Sequence, residues 1–209
     1  MKTRKAAAAG WEIVEIDKKT DESNMRDSKN FRAKLLGLFY EELLKVWLEE
    51  RGFNVLAMHP SIYKDGKWTR GSCDYLLKKS WRRYISEAKC WPAYLEGDMK
   101  LLTRSVLPKI QNEGSLGKFL DPHFINTYEF GSRKYGIESL KVDGKILFWW
   151  DCNRVDMPFI KRACGLNEIF SIRDALDEMR HQQYKSYEGV VERYRSYIND
   201  LFEHLLSSA

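Results

Sequence analysis

Two carboxylates and one ammonium stand at a spacing that an antiparallel hairpin brings together. Asp74 is followed, after twelve residues, by the tripeptide Glu87-Ala88-Lys89. Side chains alternate along a strand, so Glu87 and Lys89 point to one face of it and Ala88 points to the other. If Asp74 lies across from Glu87 on that face, two like charges come close together, which is unfavourable unless a cation offsets them.

A divalent metal ion is the natural partner of such a cluster. Mg²⁺ prefers hard oxygen ligands and keeps water or substrate phosphate in its remaining positions, and we expect Mn²⁺ to substitute for it. This chemistry suits hydrolysis of a phosphodiester bond, with Asp74 and Glu87 as metal ligands and Lys89 orienting or activating the attacking water. The same residues also fit a surface hairpin in which Glu87 and Lys89 only pair with neighbouring strands.

The elements that must hold the cluster are predicted from hydrophobic patterning and chain-breaking residues. Residues 31–51 contain no Pro and many strong helix formers, and Gly52 follows them, so they are predicted to form a helix. A strand is predicted over 53–58. Two further segments, centred on 74–77 and 84–89, have the spacing of an antiparallel hairpin with a charged turn between them.

The rest of the chain is predicted to complete this sheet. The run Ile146-Leu-Phe-Trp-Trp150 is continuously apolar, which is typical of a central strand buried on both faces. Ser171 begins a helical pattern that continues to about residue 206. The other predicted elements are an edge strand within 11–16, a helix over 94–110, a loop from there to Pro122, a helix over 158–164 closed by Gly165, and a strand at 169–170. This order predicts an α/β fold with a mixed central β-sheet flanked by α-helices and a long C-terminal helix.

The helix before the sheet extends the pattern. It carries Gly37-Leu-Phe-Tyr-Glu41, then Leu44 and Leu48, and is followed by Gly52-Phe53-Asn-Val55. Together with Asp74 and Glu87-Ala88-Lys89, this segment resembles the PD-(D/E)xK nuclease superfamily, which has the restriction-endonuclease-like fold. In Mrr-like members the helical Glu lies eleven residues before the Gly, as Glu41 does here. The resemblance covers residues 37–91 and departs from the motif at Cys73, which stands in place of Pro.

The resemblance implies roles for individual residues. Asp74 and Glu87 are expected to bind the metal, the carbonyl of Ala88 to add a ligand, and Glu41 to support the site as a further possible ligand. Glu41 shares a helical stripe with Leu44 and Leu48, so it is expected to face the sheet. Its neighbour Glu42 takes this role if the helix is rotated, since the apolar surface is too wide to fix its phase.

The basic residues concentrate around this segment. The net charge of the chain is only +5, but residues 67–109 hold ten Lys and Arg against four Asp and Glu. Such an excess is expected of a protein that contacts phosphates, and the expected partner is double-stranded DNA. The predicted DNA-binding residues are Lys78, Lys79, Arg82 and Arg83 in the hairpin turn, Lys100 and Arg104 in the following helix, and Arg133, Lys134 and Arg154 near the apolar strand.

These features predict a Mg²⁺-dependent deoxyribonuclease, and the short chain favours a type II restriction endonuclease. The alternatives are a Holliday-junction resolvase or DNA-repair nuclease of the same fold, and a non-catalytic DNA-binding module. We expect a single nuclease domain over 1–209, with its catalytic core at about 29–175. A homodimer is expected because cutting both strands needs two sites, with segment 171–206 as a candidate dimer or DNA contact.

Composition limits the other classes of protein. No apolar run approaches the roughly 18 residues that span a membrane, and the first ten residues lack the apolar segment of a secretion signal. The four cysteines contain no CxxC pair, which favours reduced thiols and a cytoplasmic protein without a membrane partner. Four histidines are isolated in the sequence and lack zinc spacing and a nucleophile partner, so most of them are predicted to be surface or core residues: His59, His123, His181 and His204.

Overall fold

The computed structural model of this chain describes residues 3–5, 12–14, 36–69, 73–89 and 101–207. Contacts divide the chain into two units, Met1–Leu38 and Phe39–Ala209. The first contains an antiparallel hairpin of β1 (Thr3–Lys5) and β2 (Glu12–Val14), which includes part of the predicted edge strand. The second carries the residues for which chemistry is predicted.

A five-stranded mixed sheet forms the centre of the second unit, as predicted. Its strand order is β13-β11-β7-β6-β3; β11 runs parallel to both neighbours, and β6 runs antiparallel to β7 and β3. All residues of β11 are buried, which explains the continuous apolar run from Ile146 to Trp149 within it. The strands are β3 (Asn54–Met58), β6 (Tyr75–Lys79), β7 (Arg82–Lys89), β11 (Gly144–Trp149) and β13 (Glu168–Ser171).

Helices α1 (residues 36–50), α6 (Ile172–His181) and α7 (Lys185–Ser207) pack on one face of this sheet. Gly52 ends α1 in the left-handed conformation, and the next N–H bonds back to the Leu48 carbonyl. Ser171 caps α6 as predicted, accepting from the Asp174 N–H at 3.1 Å. The predicted single tail is two helices, because the chain turns at Gln183, which has φ of 51°. None of the described helices is long and apolar enough to cross a membrane.

Four short helices pack on the opposite face, where Leu76, Ile85 and Leu147 form the apolar surface of the sheet. The predicted closure of the last of these helices by a left-handed Gly165 is confirmed, with φ of 60°. Segment 101–106 was predicted to be helical, which is wrong: two of its residues form a strand, and the helix starts only at Leu107, with Pro108 in its first turn. The helices are α2 (Leu107–Gln111), α3 (Gly114–Leu120), α4 (Phe124–Thr127) and α5 (Met157–Cys164).

A second sheet, which the sequence did not predict, lies on this same side. Its four antiparallel strands have the order β10-β9-β4-β5, and its Ile62 and Phe130 belong to the same apolar cluster as Leu76. The strands have only three or four residues each, too few to show a clear alternation. They are β4 (Ser61–Lys64), β5 (Lys67–Thr69), β9 (Glu129–Ser132) and β10 (Ile137–Leu140), and a separate parallel pair consists of β8 (Leu101–Leu102) and β12 (Asp151–Cys152).

Candidate active site

The β6–β7 hairpin sets Asp74 beside Glu87. The strands pair Leu76 with Ile85 and Tyr75 with Ser86, so one further step places Asp74 opposite Glu87. The Asp74 N–H also donates to the Ser86 carbonyl at 2.9 Å. Because Leu76 and Ile85 face the α2–α5 side, the alternation of side chains places both carboxylates on that side as well.

Glu87 and Lys89 form a close hydrogen-bonded pair. The side chain of Glu87 is only 2% exposed and that of Lys89 is 15% exposed, and the Lys89 ammonium donates to Glu87 Oε1. The second carboxylate oxygen, Glu87 Oε2, is buried and has no hydrogen-bond partner among the described residues. Buried polar atoms without a partner are rare and costly, so this oxygen needs a ligand or a proton.

Asp74 is held from the opposite strand. Its Oδ2 accepts the Ala88 N–H at 2.6 Å. Its other oxygen, Oδ1, lies 3.9 Å from His59 Nδ1, beyond hydrogen-bonding distance. The N–H and C=O of one strand residue point to the same edge, so the Ala88 carbonyl is directed to the edge of β7 where Asp74 lies.

Glu41 reaches the cluster from helix α1. Its Oε2 lies 3.1 Å from His59 Nε2, and its backbone carbonyl accepts the Tyr75 hydroxyl at 2.6 Å. Glu42 instead points to α7, where its carboxylate lies 3.5 Å from the Arg193 guanidinium. The structure therefore places Glu41, and not Glu42, beside the other acidic residues.

His59 is the site residue that the sequence analysis missed, and its prediction as an isolated histidine is wrong. It stands between the Glu41 and Asp74 carboxylates, and its N–H donates to the Asp74 carbonyl at 2.8 Å. Strand β3 pairs Met58 with Tyr75, so one more step brings His59 to Asp74. The position of His59 directly after a predicted strand is the sequence feature that could have placed it at the site. The pairing of β3 with β6 that brings it to Asp74 includes an irregularity between Val55 and Ala57, which the sequence does not show.

Burial and mutual repulsion control the protonation of the two carboxylates. Burial, reinforced by the Asp74 charge and opposed by Lys89, raises the pKa of Glu87 to about 8. Burial also raises the pKa of Asp74 to about 6, although the hydrogen bond from Ala88 opposes this shift. The pKa of His59 is raised as well, mainly by its contact with Glu41. At neutral pH the folded protein therefore retains a proton on this pair in the absence of a cation.

The donor set fits a hard divalent cation in part. Within the described ranges, no three His, Cys, Asp or Glu side chains form a ready metal site. However, Glu87 Oε2 is buried without a hydrogen-bond partner there, and Asp74 Oδ1 has no hydrogen bond to His59. With the Ala88 carbonyl at the same edge, these atoms are the kind of oxygen ligand that Mg²⁺ prefers, and they leave positions for water and phosphate.

The predicted DNA-binding residues of the hairpin turn lie far from the carboxylates. Lys79 is the last residue of β6 and is five residues from Asp74, so the two residues are about 17 Å apart. The four basic residues of the hairpin turn therefore lie at the opposite end of the hairpin from the carboxylates: Lys78, Lys79, Arg82 and Arg83.

The other predicted DNA-binding residues lie elsewhere. Lys100 lies outside the described residues. Arg104 packs 3.9 Å from the Phe159 ring centre, and Arg154 lies 3.2 Å from Asp174. Arg133 and Lys134 occupy the β9–β10 turn, and the charge of Lys134 lowers the pKa of His59, so this turn lies near the site.

No protein-family profile, curated protein or solved structure matches this chain. An α/β architecture by itself serves many functions, so the function must be argued from the site. The residues that carry this argument are Asp74, Glu87 and Lys89, with Glu41 and His59 at their edge.

Proposed function

We propose that this protein is a Mg²⁺-dependent deoxyribonuclease of the restriction-endonuclease-like fold, and specifically a type II restriction endonuclease that cuts double-stranded DNA. One observation carries the proposal. A buried carboxylate with an oxygen that lacks a partner in the described structure lies between a second carboxylate and a lysine. This arrangement destabilises the protein by itself but suits a bound cation, because the cation removes the repulsion and satisfies the oxygen.

Each residue of the cluster has a chemical task in this proposal. Asp74 and Glu87 hold the cation, with the Ala88 carbonyl as a further ligand. When bound, Mg²⁺ polarises the phosphoryl oxygen and lowers the pKa of a coordinated water. Lys89, held in place by Glu87, orients the attacking water and stabilises the negative charge that grows on the phosphate. Glu41 is the further candidate ligand, because its buried Oε2 lies 3.1 Å from His59 Nε2 at the rim of the site and has no hydrogen-bond partner among the described residues.

The substrate and assembly follow from this chemistry. Duplex DNA is the proposed substrate, and a homodimer is proposed because two sites related by a two-fold axis cut both strands of a palindrome. A junction resolvase or a repair nuclease would use the same catalytic residues on another DNA shape, so the substrate has to be tested directly.

The proposal is tested by incubating the protein with plasmid DNA in Mg²⁺, in Mn²⁺ and in EDTA. We expect cutting with either metal and none in EDTA, and we expect Asp74→Asn and Glu87→Gln to abolish cutting. Asp177→Asn, which removes an exposed carboxylate on α6, is the matched control and should cut like the wild type. Metal-dependent cutting that survives both site substitutions would refute the site assignment.

The pattern of products separates the candidate functions. Discrete bands from plasmid DNA support a restriction enzyme. Selective cutting of four-way junctions supports a resolvase. DNA binding by the folded wild type without any cutting, in either metal, would favour the non-catalytic binding module instead.

A further inference from the structure

Two cations lie at the edge of the second sheet beside the candidate active site. Arg133 and Lys134 are exposed in the turn between β9 and β10. Strand β4 pairs antiparallel with β9 and matches Ser61 with Gly131, so the segment before β4, which contains His59, and the turn after β9 leave the same end of this pair. The effect of Lys134 on His59 also shows that this turn is close to the site. Among the described residues, no carboxylate lies within 4.0 Å of either cation.

The packing beneath this turn holds Arg133 in place. Its guanidinium lies 6.0 Å from the ring centre of Trp68, which is within reach of a cation–π contact. The Trp68 ring in turn packs 5.1 Å from Tyr63 and lies on the bare backbone of Gly131. A Cβ at Gly131 would approach Trp68 Cη2 to 2.6 Å and the Glu138 carbonyl to 2.7 Å. Because only glycine leaves room for the indole, the sequence fixes a rigid surface under Arg133.

We propose that Arg133 and Lys134 bind the phosphate backbone of duplex DNA next to the bond that is cut, and that Trp68 is the positioning residue for Arg133. This inference rests on the proposed nuclease function. Cations without a nearby acidic partner are available to phosphates, and the Arg guanidinium suits the fork-like recognition of two phosphate oxygens. The second sheet thereby aligns DNA over the catalytic cluster.

The test measures DNA affinity and its dependence on salt. Fluorescence anisotropy with a labelled duplex in EDTA prevents cutting, and single-turnover cutting in Mg²⁺ follows the chemistry. Each phosphate contact contributes about 0.9 to the slope of log K against log salt concentration. The double variant Arg133→Ala/Lys134→Ala should therefore bind at least tenfold more weakly and reduce the slope by about 1.8. Its single-turnover cutting rate at limiting DNA should fall by a similar factor, because less of the duplex is bound.

A matched control removes the same charge elsewhere. Lys118 on α3 and Arg162 on α5 are exposed, and their double alanine variant should keep the wild-type slope. If it weakens binding and lowers the slope as much as the turn variant does, the turn has no special role and the inference is wrong. Thermal unfolding of every variant checks that the fold is retained.

Variants of Trp68 test its positioning role separately. Trp68→Ala should lower the salt slope by about 0.9, because Arg133 loses its support, whereas Trp68→Phe should retain the wild-type slope. A purely structural Trp68 would change the unfolding temperature but not this slope.

The results distinguish the inference from the function on which it rests. If the wild type cuts DNA and the turn variant binds DNA with wild-type affinity and slope, the inference fails while the nuclease function stands. If the folded wild type neither binds nor cuts duplex DNA, the nuclease function fails and the inference fails with it.

Discussion

A fully buried lysine and a half-buried lysine lie on neighbouring strands of the same sheet and have very different surroundings. Lys145 on β11 is fully buried, and its ammonium donates to the carbonyls of Phe119 at 2.7 Å and Asp121 at 2.6 Å. These carbonyls belong to the C-terminal end of α3, where a positive charge is favourable. Lys89 on β7 instead binds Glu87, whose other oxygen has no hydrogen-bond partner in the described part of the chain.

The difference indicates which cluster is architectural and which is functional. Burial lowers the pKa of Lys145 to about 8. However, its N–H groups donate to carbonyls at the end of α3 that have no hydrogen-bond partner within the helix. Around Lys89, burial leaves two carboxylates that repel each other and an oxygen that still needs a ligand. Proteins retain such an unfavourable arrangement where something binds, so the proposed catalytic role belongs to Lys89, and Lys145 is expected to stabilise the fold.

The largest expected effect comes from removing the ammonium at Lys89. Lys89→Met should lower the single-turnover rate of DNA cutting by roughly a thousandfold, because charge stabilisation at the phosphate is lost. The stability of this variant should change little at neutral pH, since Glu87 already carries a proton there and no buried charge is left without a partner. A cutting rate within tenfold of the wild type would contradict the assigned role.

The matching change at Lys145 should have the opposite outcome. Lys145→Met leaves the Phe119 and Asp121 carbonyls without their donor, which should cost about 3 kcal/mol of unfolding free energy. For a chain of this size, that lowers the melting temperature by roughly 6–12 °C. Urea titration measures the loss, and the cutting rate per folded molecule should stay close to that of the wild type. An unchanged urea midpoint would show that Lys145 is not structural.

A smaller change in stability per pH unit is expected when the pH is varied in the absence of metal. Between pH 4.5 and about 8 the folded protein holds a proton on Glu87 that the unfolded chain releases, so stability must fall as the pH rises through this window. One such proton changes stability by at most about 1.4 kcal/mol per pH unit. Lys145 acts in the other direction between about 8 and 10.5, where the unfolded chain holds the additional proton and stability rises.

Melting curves across this pH range measure both slopes. Glu87→Gln should flatten the fall below pH 8 and leave the rise above it. A Glu87→Gln profile that follows the wild type would contradict the raised pKa of this carboxyl.

Local sequence predicted the parts of the fold that depend on short-range patterns. The hairpin, the apolar run of β11 and the end of α1 at Gly52 needed only alternation, continuous burial and a helix end. His59 needed the register between β3 and β6, with its irregularity, and this depends on packing rather than on spacing. The second sheet joins β4 to β9 across a long stretch of chain, and strands so short carry little signal.

The local excess of basic residues in the sequence does not show which of them lie near the carboxylates in the fold. The basic residues of the hairpin turn are close to the carboxylates in sequence, yet the length of β6 carries them to the other end of the sheet. Arg133 and Lys134, about sixty residues away in the chain, are brought near the site by the pairing of β4 with β9.

Metal titration by isothermal calorimetry tests most directly whether the carboxylate cluster is a metal centre. At pH 7, in two buffers of different ionisation enthalpy, the wild type should bind Mg²⁺ or Mn²⁺ and release about one proton, because Glu87 holds a proton until a cation replaces it. Glu87→Gln should lose this binding and the proton release together. Absence of binding to the folded wild type at millimolar metal, or the same heat and proton release from Glu87→Gln, would contradict the account.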